Sequence, residues 1–352
     1  MILTADNVLA YLAGKGLADP TAAWTVSARL SRNRNFSAAP AAGGPGLFLK
    51  QLRVLAPESV LMMQREATVY WLSQNDPDFA ALADLIPPYV LFDGLLKVLV
   101  VGLVPVAQGL LRPQEESWGF PVPLGESLGR ALAAVHREAG RRMRSDPPRA
   151  AFPLEVPGIF TAHRGGPLVR WLGAGQMRLV ERVREHPVLA PALDRLAATW
   201  SLDAFTHGDL KFENCVVSAG GSEPRIFFVD WELADFGDPC WDLGCLVQAY
   251  LYVGLLPVLD RPEESLRERL ERAGPRGEAI RAALRGFWRG YGIGPALRER
   301  VLGCAAARLI QMALEVMHGR DEPPPMSLSL LEMGAEIAGE PGTAGSSLGV
   351  AG

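Results

Sequence analysis

Apolar and polar positions change rhythm along this chain. From residue 4 to 18, Leu, Tyr and Ala recur at helical spacing until Gly16, which predicts a short leading helix. The rhythm then shortens. Trp24 to Leu30, Asn35 to Ala39 and Leu47 to Leu52 are brief runs separated by Ser31-Arg32-Asn33-Arg34 and by a Gly/Pro-rich stretch over 41–46, predicting a three-stranded antiparallel meander. Ser59 to Ser73 returns to helical spacing through Val60, Met63, Ala67, Tyr70 and Trp71. Tyr89 to Phe92, the turn Asp93-Gly94 and Leu95 to Val104 predict a hairpin that completes a five-stranded sheet.

Beyond the exit Leu103-Val104-Pro105-Val106, helical spacing dominates, over 124–138, 166–185, 188–200, 241–255, 263–272, 277–290, 294–317 and 326–338. His136 lies in the first of these stretches and reads as a packed core histidine. The Gly-rich residues 339–352 read as a disordered tail, and no internal repeat is evident. A sheet followed by helices predicts an α+β chain of two lobes, 1–104 and 105–338, joined by the exit as a hinge.

Composition narrows the picture. With 352 residues and 49% hydrophobic content the chain has ample material for two lobes, and its net charge of -4 argues against a general nucleic-acid binder. The start, from Met1 to Asp6, has no basic segment before an apolar run, and Leu95 to Leu111 is broken by Lys97, Gly102, Pro105 and Gln108. Neither reads as a secretory signal or a membrane span, so a cytoplasmic protein is expected. Cys215, Cys240, Cys245 and Cys304 lack metal-ligand spacing and read as buried free thiols. Of 35 lysines and arginines only Lys15, Lys50, Lys97 and Lys211 are lysines, so each becomes a candidate for work that needs a compact ammonium. Lys50 and Lys211 fall in motif positions; Lys15 and Lys97 are expected to face solvent.

The chemistry concentrates in His207-Gly208-Asp209-Leu210-Lys211-Phe212-Glu213-Asn214 and, after a strand-like stretch, Val229-Asp230-Trp231-Glu232. A carboxylate able to accept a hydroxyl proton, an amide five residues later and a second carboxylate beyond a hairpin are the base and metal ligands of kinase-type phosphoryl transfer. Asp209, Asn214 and Asp230 fill those places. Lys50, on the third strand, stands where kinases put the lysine that contacts the nucleotide phosphates.

The string HGDLKFEN followed by VDWELADFGDPCWDLG resembles the aminoglycoside phosphotransferase and choline kinase group, relatives of the protein kinases. The resemblance implies a bilobal protein-kinase-like fold: a five-stranded antiparallel N-terminal sheet with one main helix, and a mostly helical C-terminal lobe. It implies an ATP- and Mg2+-dependent kinase in which Asp209 is the catalytic base and Asn214 and Asp230 hold magnesium. Glu66 would pair with Lys50, His207 would orient the catalytic loop, and Asp242 would bind that loop's backbone from the start of a buried helix. Lys211 would neutralise the transferring phosphate. No GxGxxG is present; backbone amides with Ser31, Asn33 and Asn35 would take its place at the phosphates, or alternatively Arg32 and Arg34 would reach phosphates or the acceptor, while backbone groups of Leu103 and Val104 would meet the adenine edge.

The acceptor is less legible. Glu232, Asp235, Glu315, Asp321 and Glu322 are candidates for a polycation-binding patch, and Trp231, Trp241 and Trp288 for a pocket or a core. SRNRNF, LFLKQ and ESVLMMQREATVYWL resemble a branch found with class V lanthipeptide and thioamitide pathways. That implies phosphorylation of Ser or Thr in a ribosomally made precursor peptide, with a partner lyase eliminating the phosphate. A small-molecule or antibiotic kinase and a non-catalytic nucleotide-binding partner remain as alternatives.

Overall fold

The computed structural model describes residues 1–29, 31–104, 107–109, 122–218 and 225–350. Helix α1 (Val8–Gly14) leads into β1 (Trp24–Arg29), β2 (Arg34–Pro40) and β3 (Leu47–Gln51). Next comes α2 (Pro57–Asn75), where Pro57 sits in the first turn with no N–H to lose and Glu58 complements the positive helix start. The strands β4 (Tyr89–Asp93) and β5 (Val98–Gly102) complete an antiparallel sheet of order β1-β2-β3-β5-β4. Its last turn is wider than Asp93-Gly94 alone. Asp93 Oδ1 accepts from the amides of Leu95 and Leu96, and Lys97 takes φ 51°, so the strand starts at Val98 rather than Leu95.

Strand periodicity decides which side chains face the chemistry. Phe36, Leu49, Val98 and Val100 pack with Leu3, Val8, Tyr11 and Leu12 in a small core under α1. Full burial of a side chain such as Phe36 stabilises by roughly 1.5–3 kcal/mol. Asn35 and Lys50, cross-strand partners one position along from Phe36 and Leu49, therefore turn to the opposite face. Lys15, expected to face solvent, pairs with Asp93 at 2.8 Å and pins α1 to the β4–β5 turn.

The rest of the chain begins with β6 (Ala107–Gly109), α3 (Val122–Glu138), α4 (Ile159–Ala162), α5 (Ala174–Glu185) and α6 (Leu189–Ala198). Pro167 and Gly173 split the helix expected over 166–185 into a 3-10 turn and α5. Short strands β7 (Ala204–Thr206), β8 (Cys215–Ser218), β9 (Arg225–Phe228) and β10 (Asp235–Gly237) form two small sheets, β10-β7 and β6-β8-β9. The helices α7 (Pro239–Leu255), α8 (Leu266–Arg272), α9 (Pro275–Tyr291), α10 (Pro295–Val316), α11 (Pro325–Gly339) and α12 (Pro341–Ser347) follow. The whole is the bilobal, kinase-like α+β arrangement expected, with a continuous core running from α2 through the helical lobe.

Two helix pairs are packed backbone to backbone. A Cβ on Gly129 of α3 would lie 2.4 Å from the Phe287 carbonyl oxygen of α9, and one on Gly290 would lie 2.1 Å from the Glu126 oxygen. Likewise a Cβ on Gly244 of α7 would lie 2.6 Å from the Ala305 nitrogen of α10. The stretch Pro239–Val258 is long and apolar enough to cross a membrane, but 83% of it is buried inside the protein, where it forms the centre of the helical lobe. All four cysteines are free and buried.

The tail departs from its composition. Instead of disorder, Pro341–Ser347 form α12, and Ala344, Leu348 and Val350 are buried. Small residues let this helix lie close to α10, with Arg281 Nε donating to the Ser347 carbonyl at 2.9 Å. Low hydrophobicity predicts disorder only when no larger surface is waiting to be covered. Residues 351 and 352 lie outside the described residues, as do Pro105 and Val106 of the expected hinge.

Candidate active site

Lys50 stands at the centre of a charge cluster. From β3 its ammonium reaches Glu66 Oε2 of α2 at 2.7 Å and Glu232 Oε2 at 3.4 Å, and it also contacts Asp230 Oδ1. Burial works against the ammonium, but these three carboxylates outweigh it and hold Lys50 charged well above the ordinary lysine range. Burial likewise pushes the Glu66 carboxyl up; Lys50 opposes it, Asp230 and Glu232 add to it, and the result is about 7.

The segment from 207 to 214 is held from behind. Asp242, fully buried in the first turn of α7, accepts from the amide of His207 at 2.6 Å through Oδ2 and from the amide of Gly208 at 2.9 Å through Oδ1. Burial alone would raise the Asp242 carboxyl; hydrogen bonding and charge from His136, with the loop's own contribution, keep it below the usual carboxylate range. His136 Nε2 lies 3.1 Å from Asp242 and its Nδ1 lies 3.0 Å from the Tyr291 hydroxyl, so His136 is a core residue as expected. His207 Nε2 meets the Val229 carbonyl at 2.9 Å, joining this loop to the one carrying Asp230. Gly208 adopts φ +84°, and a Cβ there would come within 2.2 Å of the Leu233 carbonyl oxygen, so only glycine fits. Trp241 Nε1 donates to the Gly208 carbonyl at 2.7 Å, and Trp231 is buried; both belong to the frame around the loop rather than to a pocket.

Asn214 closes a 3-10 turn over Phe212–Asn214. Its Nδ2 donates to the Asp209 carbonyl at 2.9 Å, and its own carbonyl accepts from Val229. The amide oxygen is what the side chain has left to offer a cation. Asp230 adopts a left-handed backbone, φ 67°. Carboxylate oxygens of Glu66, Asp230 and Glu232 lie within 4.8 Å of one another, a hard-oxygen donor set of the kind magnesium takes. The residues thus fit a divalent cation by donor chemistry.

Asp209 is flanked by two cations. Lys211 Nζ lies 2.5 Å from Oδ2 and Arg308 Nη2 lies 3.2 Å from Oδ1. Burial works against the Lys211 ammonium, and the Asp209 charge overrides it, holding Lys211 above the ordinary lysine value. Arg308, from the middle of α10, was not singled out by the sequence reading. One signal was present: a lone charge inside the apolar run Cys304-Ala305-Ala306-Ala307-Arg308-Leu309-Ile310.

Lys50, Glu66, Asp209, Lys211, Asn214, Asp230 and Glu232 border one cleft of about 710 Å³. Ser31, Asn33 and Asn35 line it from the β1–β2 turn, as do Leu103 and Val104 at the far end. The Leu103 amide is already bonded to the Gly46 carbonyl at 2.8 Å, so this hinge N–H is not available to a base edge. Asn35 Oδ1 is buried without a partner among the described residues. Arg32 reaches across to Glu232 at 2.5 Å, bridging the turn to the loop after Asp230. Of the five acidic residues considered for a polycation patch, Glu232 and Glu315 line the cleft, and the other three are not among its lining residues. Glu232 is engaged by Lys50 and Arg32, Asp235 is buried and accepts from the Glu155 and Phe236 amides, and Glu315 pairs with Arg308. Asp321 and Glu322 lie at the surface beside Arg178.

Comparison with known proteins points the same way. Residues 121–287 match the family described as APH, Phosphotransferase enzyme family. A macrolide 2'-phosphotransferase from Brachybacterium faecium superposes with a TM-score of 0.50 at 18% identity, covering 95% of this chain and 98% of that one. Plasmodium vivax ethanolamine kinase gives 0.54 at 11% identity, covering 93% and 84%. A microcompartment-associated aminopropanol kinase gives 0.53 at 16% identity, covering 97% and 99%. Mouse acyl-CoA dehydrogenase family member 11 is 37% identical over 81 residues, which span 20% of this chain and only 10% of that protein. Residues 121–287, which hold the Asp209 loop, Asn214 and Asp230, thus resemble the phosphotransferase enzyme family, and the chain has the bilobal kinase-like fold of these neighbours.

Proposed function

We propose that the chain transfers the γ-phosphoryl group of ATP to an alcohol, with Asp209 as the base, and that the acceptor is Ser or Thr of a precursor peptide. The observation that carries the chemistry is the convergence of Lys50, Asp209, Asn214 and Asp230 on one cleft. A nucleotide-binding scaffold would not need that complete set.

Lys50 binds the α and β phosphates, with Glu66 fixing its position at 2.7 Å. Asp230 and Asn214 would hold magnesium, and Glu232 has a carboxylate oxygen within 4.8 Å of one on Asp230. A magnesium ion held there would supply positive charge to neutralise the phosphates. Asp209 orients the acceptor hydroxyl. As the new O–P bond forms and the bond to the ADP oxygen breaks, the hydroxyl proton passes to the Asp209 carboxylate. The transition state is loose, so positioning and charge neutralisation outweigh base strength. A carboxylate already touched by Lys211 and Arg308 suits that task. Lys211 also lies where it can follow the transferring phosphoryl group.

Two observations favour a peptide acceptor. Lys211 stands two residues after the base, as is common in protein kinases, and makes direct contact with it. The acidic residues that would hold a polycationic drug are dispersed or already paired. A partner lyase would then eliminate the phosphate to leave a dehydroamino acid. A small-molecule acceptor is favoured by the similarity to ethanolamine, aminopropanol and macrolide kinases, which extends to the fold.

Mass spectrometry of a precursor peptide encoded beside this gene, incubated with ATP, Mg2+ and the protein, tests the reading. A gain of phosphate on Ser or Thr is expected. An unmodified peptide together with a phosphorylated amino alcohol or aminocyclitol would decide for the small molecule. Asp209→Asn should lower transfer by about 10³-fold or more while nucleotide binding stays within about twofold. Wild-type turnover in that variant would remove Asp209 as the base.

A further inference from the structure

We infer that Arg308 is a positioning residue for Asp209, so that the catalytic carboxylate is aimed by helix α10 as well as by its own loop. The inference rests on Asp209 being the base. Arg308 is 1% exposed, and a guanidinium so deeply placed costs several kcal/mol of desolvation unless carboxylates surround it. It has two. Nη2 lies 3.2 Å from Asp209 Oδ1, 99 residues away in sequence, and Nη1 lies 2.7 Å from Glu315 Oε1, two turns along the same helix. Gln311 Nε2 donates to the same Glu315 oxygen at 3.1 Å, steadying the anchor at the cleft wall. A leucine would pack into this apolar stretch without that cost, so what the arginine adds is the link to Asp209.

The geometry explains how the link is rigid. Asp242 on α7 holds the backbone of His207 and Gly208, while Arg308 on α10 holds the side chain of the next residue. The two helices touch between these points, at Gly244 against Cys304 and Ala305, where no Cβ fits. Backbone and carboxylate are thereby referred to one solid pair of helices. With Oδ1 held by Arg308, Asp209 is left with Oδ2 to present to Lys211 and the acceptor.

The test is a double-mutant cycle on the full chain: wild type, Asp209→Asn, Arg308→Gln and the double variant, with phosphate release from ATP and Mg2+ and water as acceptor. Arg308→Gln should lower kcat about tenfold or more with the KM for ATP within about twofold, and Arg308→Lys should recover part of it. In the Asp209→Asn background the same change should cost nothing further. An equal loss in both backgrounds, or an effect on KM alone, overturns the inference in favour of simple helix packing. Wild-type turnover in Asp209→Asn would instead sink the base reading. Should Arg308→Gln fail to fold, Glu315→Gln leaves the arginine in place but loosens its anchor; a several-fold lower kcat, again absent beside Asp209→Asn, is expected. No change there overturns the inference. Should wild-type phosphate release not exceed the uncatalysed rate, urea unfolding of the four proteins decides, with zero coupling between positions 209 and 308 as the overturning result.

Discussion

Lys211 shows what a single residue contributes. Its ammonium, partly buried and 2.5 Å from Asp209, sits where the phosphoryl group would pass. Charge stabilisation confined to the transition state affects turnover rather than ground-state binding. Lys211→Ala should therefore lower kcat by roughly ten- to hundredfold and leave ATP affinity within about twofold; steady-state kinetics beside a fluorescent-nucleotide titration would read both, and an unchanged kcat would make it an ordinary loop charge. That Lys50, Glu66, Asp209, Asn214 and Asp230 meet in one cleft was legible in the sequence, Asp209, Asn214 and Asp230 from their spacing, Lys50 from its place on the third strand and Glu66 from the family resemblance. Arg308 was not, because its partner is 99 residues away: a lone charge in an apolar run marks a buried arginine but not the carboxylate it meets. Glu232 was read as an acceptor contact, yet it stands between Lys50 and Arg32 at the phosphate end.

Among the elements, the α3–α9 pair governs the frame behind the loop. Its glycines bring two backbones into direct contact, and the pair delivers Tyr291 to His136 and His136 to Asp242 of α7, which in turn holds the loop amides. Gly129→Val would drive a branched side chain into the Phe287 carbonyl, and overpacking of this kind costs about 1–3 kcal/mol, with more expected where backbone is struck. Denaturant unfolding should show a loss of at least about 3 kcal/mol; a change under about 1 kcal/mol would mean that the helices can separate without penalty. The strand and helix order was readable from periodicity, but this contact was not, since glycine registers as a helix breaker rather than a packing surface. The tail failed for a related reason: alanine and glycine signal disorder in isolation, yet form a thin helix when α10 is there to receive them.

Across the whole molecule, the cleft is spanned by Arg32 and Glu232, which join the β1–β2 turn to the loop after Asp230. Arg32 is 70% exposed, so the pair adds only about 0–1 kcal/mol to stability. Its effect belongs to the nucleotide. Burial disfavours the guanidinium charge, but Glu232, Asp230 and Asp209 all favour it, and Arg32 lines the same cleft as Lys50, where the proposed reading puts the phosphates. Arg32→Ala should raise the KM for ATP several-fold while the melting temperature moves by no more than about 2 °C; an unaltered KM would leave the pair a surface ornament. Closure of such a cleft can also be watched directly, because the native thiols are chemically silent. Burial pushes Cys215, Cys240, Cys245 and Cys304 upward, away from the reactive thiolate. New cysteines at Leu95 and Trp171, exposed by 90% and 73%, would be the first that a dye reaches. Fluorophores could therefore be attached to the two lobes without removing a single natural cysteine.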